Sequence, residues 1–379
     1  MTNEVSNEEV QAELEAGLNC IGCGARLQDQ DDQAAGYLPL SALKKLINTD
    51  NLLCQRCFRL RHYNEIQPVE LTDDDFVKLL SQISESKALV VYVIDVFDFS
   101  GSLINGLPRF VGSNNPILVV GNKVDLLPKL LNKRHLHDWL ARQLKENGLH
   151  PEEILLTSAA HPQNLDDILA AIDEHRHGQD VYIVGTTNVG KSTLINQIIK
   201  SRTGIQELIT TSRFPGTTLD RIEIPLEDGQ NLIDTPGIIK KDQMAHVLSS
   251  ADLKYALPKN EIKPRTYQLN AEQTIFIGAL ARFDFQIGDR SAVTAYFENN
   301  LMLHRTKMGG ADEFYTKHAG ELLKPVPEKV TRLVRHEFKT TKKSDLVFAG
   351  LGWISLPAGI QVAGWAPEGV AVTIREAMI

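Results

Sequence analysis

The stretch that decides the fold is DVYIVGTTNVGKST, residues 180–193. Its first half is an apolar run that reads as a buried strand, and KSTLINQIIK reads as a helix. Between them, GTTNVGKST fits GxxxxGK[ST] in the context that the motif needs. The glycines let the backbone curl so that successive N–H groups point at anionic oxygens. Lys191 is then expected to reach the β- and γ-phosphates, and the Ser192 hydroxyl to ligate Mg²⁺. The candidate nucleotide contacts are Gly185, Asn188, Val189, Gly190, Lys191, Ser192 and Thr193.

Outward from that loop the chain alternates strands and helices. Ala88–Asp95, Pro116–Asp125 and Glu153–Ala159 read as buried parallel-type strands, with a helix at 164–175. A helix is expected at Phe76–Ser84, and IEIP and NLIDTPG supply the remaining strands. This implies a doubly wound α/β sheet with ligands at the C-terminal strand ends.

Three further motifs sit at such ends. In NLIDTPG, Asp234 is expected to hold Mg²⁺ through water and the Gly237 N–H to sense the γ-phosphate. Upstream, FPGTTLD offers Thr218, with Thr217 as alternate, to close over the metal. With Lys191, these residues form the candidate catalytic set. NKVD assigns the base: Asp125 accepts hydrogen bonds from N1–H and the exocyclic amine of guanine, donors that adenine lacks in that arrangement. Asn122 would brace the loops, the Lys123 stem would lie over the ring, and TSA (Thr157, Ser158, Ala159) offers N–H groups to O6. The ligands implied are GTP and GDP with Mg²⁺.

The order of these motifs is unusual. Ras-like GTPases place the phosphate loop first and the base motifs last, whereas here NKVD and TSA come before it. The expectation is a circularly permuted Ras-like domain, rejoined through His175–Asp180. The segment after DTPG then runs directly into a C-terminal domain, a link suited to passing on nucleotide state.

Four cysteines form two CxxC pairs, Cys20 with Cys23 and Cys54 with Cys57. That spacing suits a closed structural zinc site, with iron the alternative metal and a redox or disulfide pair the rival chemistry. The 379 residues carry a net charge of −8, so nucleic-acid contact requires local patches. Two are candidates: CQRCFRLRHY (54–63) interleaves Arg56, Arg59 and Arg61 with Phe58 and Tyr63, and residues 329–343 hold Lys329, Arg332, Arg335, Lys339, Lys342 and Lys343 against Glu337. Trp353 and Trp365 read as packing residues. No apolar run approaches a membrane span and the acidic N-terminus has no leader pattern, so the expectation is a cytoplasmic protein with neither membrane nor DNA partners.

The divisions expected are an acidic tail or frayed helix (1–17), a zinc module (18–66), the permuted GTPase domain (67–243) and a mixed α+β domain (244–379). Beyond residue 245 the strand-like runs are TIFIGAL, SAVTAYF, DLVFAGLGWISL and GVAVTI.

CIGCG…CQRCFRLRHYNEIQ, VIDVFDFSGS, the reordered motifs and KVTRLVRHEFKTTKKSDLVFAGLGWISL together resemble the YqeH-type circularly permuted GTPases, over nearly the whole chain. Those bacterial ribosome-assembly factors are related to the nitric-oxide-associated proteins of mitochondria and plastids. The resemblance implies an RNA-binding C-terminal domain and a role in assembling the small ribosomal subunit on ribosomal RNA. A GTP-regulated RNA-binding scaffold with little turnover is the alternative. The residue after DTPG is Ile238, where Ras has its water-positioning glutamine. GTPases with that replacement often carry a phosphate-loop asparagine as a K⁺ ligand, the position of Asn188, with a turn residue as the plain alternative. Slow hydrolysis stimulated by K⁺ and by the ribosome is the expectation.

Overall fold

The computed structural model describes residues 7–20, 25–32, 34, 36–47, 52–55, 58, 70–71, 80–112, 114–161, 164–201, 210–213, 220–226, 228–249, 251–328 and 332–379. The chain divides into two compact units. The first comprises Met1–Asp95, Ser102–Lys123 and Gln143–Ile239, and the second Val96–Gly101, Val124–Arg142 and Lys240–Ile379. The second unit thus takes in two short segments that the sequence reading left inside the nucleotide domain.

The strands of the first unit are β1 (Glu70–Leu71), β2 (Ala88–Asp95), β3 (Ile117–Asn122), β4 (Glu153–Leu156), β5 (Asp180–Val184), β6 (Thr210–Arg213), β7 (Asp220–Pro225), β8 (Asn231–Asp234) and β9 (Gly237–Ile238). Seven of them form one sheet in the order β4-β3-β2-β5-β8-β7-β6. It is parallel from β4 to β8, and β7 and β6 add antiparallel strands at the edge. Every residue of β2 and β3 is buried, as continuous apolar runs require when both sheet faces are covered. Helix Leu165–His175 buries Ile168, Ala171 and Ile172. Helix Lys191–Ser201 buries Leu194, Ile195, Ile198 and Ile199, and both stripes pack on Leu89, Val91, Val93, Val181 and Ile183. Their i, i+3, i+4 spacing gives each helix one apolar face. The buried Asn115 amide fixes the entry to β2, accepting from Ala88 N–H and donating to the Ile83 and Val111 carbonyls.

At the N-terminus, helix Asn7–Ala16 is part of a small core rather than a detached tail. Its Val10 and Leu14 cluster with Cys20, Ala25, Leu27, Leu38, Leu43, Leu52, Leu53 and Cys54.

The second unit carries β10 (Arg265–Leu269), β11 (Gln273–Ile277), β12 (Ala281–Ile287), β13 (Ser291–Phe297), β14 (Leu303–Lys307), β15 (Leu333–Lys339), β16 (Ser344–Phe348), β17 (Gly352–Leu356), β18 (Gln361–Pro367) and β19 (Val372–Glu376). They form two antiparallel sheets, β10-β13-β17-β16-β19 and β14-β11-β12-β18-β15. Ile275, Phe283, Phe285 and Val362 of one sheet share a core with Val293, Phe297, Phe348 and Ile354 of the other. The mixed α+β expectation is therefore shifted towards β: two facing sheets, with Ala311–His318 a short helix beside them. Trp353 is fully buried, while Trp365 is partly buried and donates from Nε1 to Asp284 Oδ2 at 2.8 Å.

The segments 96–101 and 124–142 dock within this unit through specific contacts. Phe97 packs on Trp353, Phe99 on Trp139, and Trp139 Nε1 donates to the Glu376 carbonyl. Asp98 accepts from the Gln243 amide and the Gly350 N–H. The Arg375 guanidinium lies over both Trp139 and Trp353, at 5.0 and 5.3 Å from their ring centres.

Candidate nucleotide site

The C-terminal end of β5 runs into the glycine-rich loop and helix Lys191–Ser201, with β2 on one side of β5 and β8 on the other. Two glycines have steric reasons. A Cβ on Gly185 would lie 2.8 Å from the Val93 carbonyl oxygen of β2. Gly190 has φ +87°, and its Cβ would meet the Asn122 amide nitrogen at 2.3 Å. The loop passes this close to β2 at Gly185 and to Asn122 of β3 at Gly190 because neither residue carries a side chain.

Asn122 itself, buried at the end of β3, joins two loops. Its Nδ2 donates to the Val189 carbonyl at 2.8 Å, and its Oδ1 accepts the Ala159 N–H at 2.9 Å. A single amide thereby fixes the phosphate loop against the TSA segment. Thr157, Ser158 and Ala159 are all buried, and Thr157 N–H donates to the Gly121 carbonyl. Lys123 follows with φ +66°, and its Nζ forms a 2.6 Å ion pair with Asp95 Oδ2. Asp125 is half-buried in the 3₁₀ turn Val124–Leu126. That turn is held by Ile262 N–H donating to the Leu126 carbonyl, and Lys129 N–H just beyond it donates to Glu261 Oε1.

At the phosphate end, Lys191 is buried and its Nζ contacts Asp234 Oδ1 and the Thr235 carbonyl. Asp234 ends β8, and the chain passes through Thr235 and Pro236 into β9, Gly237 and Ile238. Ile238 is buried, donates from N–H to the Gly185 carbonyl and accepts from Thr187 N–H at 2.7 Å. A Cβ on Gly237 would sit 3.2 Å from the Thr187 nitrogen. The DTPG segment and the phosphate loop are therefore in direct contact, and β1 pairs in parallel with β9, Glu70 opposite Gly237 and Leu71 opposite Ile238. The side chain at the position of the Ras glutamine has no polar group to offer a water. Ser192 is half-buried and Thr193 exposed at the start of the helix. Asn188 is exposed with φ +63°. Thr217 and Thr218 lie outside the described residues.

Asp95 is the residue that sequence reading passed over. Its N–H donates to Ser102 Oγ at 3.0 Å, and the Tyr92 hydroxyl donates to the Ser102 carbonyl while accepting from Ile104 N–H. Burial pushes the Tyr92 phenol well above its ordinary value, so it remains a donor. The available signal was an acid closing an otherwise apolar strand of eight residues.

Away from this site, Cys20 and Cys54 are buried in the N-terminal core, and Cys54 N–H donates to Cys20 Sγ at 3.1 Å. Cys23 and Cys57 lie outside the described residues. So do Arg56, Arg59, Arg61, Tyr63 and Lys329 of the basic runs, while Phe58 is exposed. In the 329–343 run, three cations face acids: Arg332 with Glu368, Arg335 with Glu337 and Lys342 with Glu376. The field of that patch is weaker than the local residue count implies.

The family described as "50S ribosome-binding GTPase" matches residues 180–274, and "YqeH-like, C-terminal" matches residues 290–378. The chain is 52% identical to the uncharacterized protein YqeH of Bacillus subtilis (strain 168), over 95% of this chain and 99% of that one. It is 30% identical to NO-associated protein 1, chloroplastic/mitochondrial, of Arabidopsis thaliana, covering 92% of this chain and 71% of that protein. A GTPase Der from Methylococcus capsulatus is 30% identical over 46% of this chain. The protein is a GTPase and belongs to the YqeH family.

Proposed function

We propose that this GTPase is a circularly permuted switch that binds pre-ribosomal particles in one nucleotide state and leaves them in the other. The observation that carries the nucleotide half is the Asn122 amide, which ties the phosphate loop to the TSA loop at one end of the sheet. In this reading Asp125, Lys123, Ser158 and Ala159 read guanine; Lys191 and the loop residues hold the phosphates; Ser192, Asp234 and Thr218 hold Mg²⁺; and Gly237 reports the γ-phosphate. The permutation is supported by β5 lying at mid-sheet, with the earlier strands β2–β4 on one side and the later β6–β8 on the other. Hydrolysis is slow without help, because Ile238 is buried and apolar. A K⁺ ion at Asn188 supplies charge on this reading, and equal rates in Na⁺ and K⁺ would remove that element.

Zinc in the four-cysteine site is part of the same proposal. Cys20 and Cys54, one from each CxxC pair, share a buried cluster, and an N–H donated to sulfur favours the thiolate that a metal needs. Zinc would close the module's fold and take no part in hydrolysis. One equivalent of metal per chain, lost in the Cys54→Ser variant, is the result expected from elemental analysis.

The ribosomal half rests on the kinship with YqeH and on the basic residues at 54–63 and 329–343. We take the small subunit and its RNA as the partner, in the cytoplasm. A second reading, the large subunit, is favoured by the match of residues 180–274 to the family of 50S ribosome-binding GTPases. Sedimentation with 30S and 50S subunits under GDP, GTP and a non-hydrolysable analogue distinguishes them. Nucleotide-dependent co-migration with 30S supports the first reading, co-migration with 50S the second. Nucleotide-independent binding to many RNAs would favour the low-turnover scaffold.

A further inference from the structure

The VIDVFDFSGS segment belongs to none of the motifs that contact nucleotide in GTPases, yet it brings a carboxylate to the base end of the site. Asp95 closes β2 directly beside Asn122 of β3, its register partner. The Asp95 side chain is 9% exposed and that of Lys123 25% exposed, so their 2.6 Å ion pair is partly shielded from solvent. Lys123 has its backbone in the left-handed region, which a side chain with a Cβ adopts at a cost. Its stem runs beside the phosphate loop, with Cε 4.0 Å from the Cβ position of Gly190. A long, flexible lysine stem holds one path only if its end is tethered.

The tether is itself fixed. Ser102 Oγ accepts the Asp95 N–H at 3.0 Å and donates back to the Asp95 carbonyl at 3.5 Å. Ser102 is buried, and its own carbonyl is held by Tyr92 OH at 2.6 Å. Tyr92 lies on the same strand, three residues before Asp95, and its ring is wholly buried. The carboxylate thus projects from a rigid strand end rather than from a loop, the arrangement that precise positioning requires.

We propose that Asp95 is a positioning residue for guanine-nucleotide binding: it anchors the Lys123 ammonium so that the lysine stem is pre-set along the base site. The inference rests on the assignment of NKVD as the base-reading loop. Asp95 pairs with a lysine of the base loop and not with Lys191 of the phosphate loop, so its effect is expected on binding of GTP and GDP alike. Preorganisation of this kind lowers the ordering cost of binding and leaves the chemical step alone.

The test is a double-mutant cycle on the full-length protein, reading GDP and GTP dissociation constants with fluorescent analogues together with KM and kcat. Asp95→Ala is expected to weaken both nucleotides by roughly tenfold, raise KM similarly and leave kcat within about twofold. Asp95→Asn, which keeps an acceptor oxygen, is expected to recover part of the loss. Lys123→Met is expected to weaken binding by at least as much, and adding Asp95→Ala to it should cost little more. A normal Kd in Asp95→Ala beside a weakened Lys123→Met would overturn the inference alone. Unchanged binding in Lys123→Met would overturn the base-loop assignment beneath it. Losses that add fully in the double variant, or a fall in kcat with the melting temperature, would show that Asp95 supports the fold and not the lysine.

Discussion

The two units put charged residues to opposite uses. The parallel strands β2, β3 and β8 are mainly apolar, and polar side chains appear where they end, Asp95, Asn122 and Asp234, with Lys191 opening the helix that follows β5. In the antiparallel sheets, buried charges lie within the strands themselves. Arg282 pairs with Asp284 on β12, under the Trp365 ring, and Arg375 of β19 lies opposite Asp345 of β16. Burial pushes the Arg375 guanidinium down and the Asp345 carboxyl up, and each charge opposes the other's shift. The first pattern collects chemistry at one end of a sheet, where loops can meet a ligand. The second fixes the register of strands and the docking of Phe97, Asp98 and Trp139 within their own unit.

Substitutions should therefore separate activity from stability by unit. The largest expected effect is that of Lys191→Ala, which should lower GTP hydrolysis about a thousandfold, beyond the loss of stability that follows from leaving Asp234 buried without its cation. A fall in activity that only tracks loss of the folded state would erase the contrast. Arg375→Met comes next: it leaves Asp345 buried beside no cation and should cost the second unit about 3 kcal/mol. Urea unfolding followed by tryptophan fluorescence measures this, since Trp139 and Trp353 both flank the guanidinium. A smaller loss than for an ordinary core truncation would mean that the aromatic pair, and not the charge, holds the segment. The smallest effect on folding is expected for Arg332→Ala, whose pair with Glu368 is solvent-exposed. Its melting temperature should move by no more than about 1 °C, while any RNA affinity at this face falls and loses part of its salt dependence.

Legibility followed the same division. The run Ala88–Asp95 is at once a sequence pattern and strand β2, because burial on both faces leaves an unbroken apolar signal. The phosphate loop was legible because its chemistry is local in sequence. Helix Lys133–Glu146 went unread, although Leu136, Trp139, Leu140 and Leu144 recur at helical spacing in its sequence. LVRHEFK was read as a basic run, yet it is strand β15, whose exposure alternates along its length as at a sheet edge. Edge strands keep one polar side, so charge and strand signals overlap there. The acids that temper the run, Glu368 and Glu376, are distant in sequence and no local charge count includes them. The tie between Asp95 and Lys123 was hidden for the same reason, since it crosses between neighbouring strands.

On the function proposed above, this GTPase selects guanine through Asp125, in a loop that precedes the phosphate loop in the chain. Steady-state hydrolysis of GTP and of xanthosine triphosphate by the wild-type protein and by Asp125→Asn tests it most directly. A reversal is expected: the wild type prefers GTP, and the variant loses GTP by a large factor while gaining the xanthine nucleotide, whose O2 can accept from the new amide. A variant that still prefers GTP would contradict it.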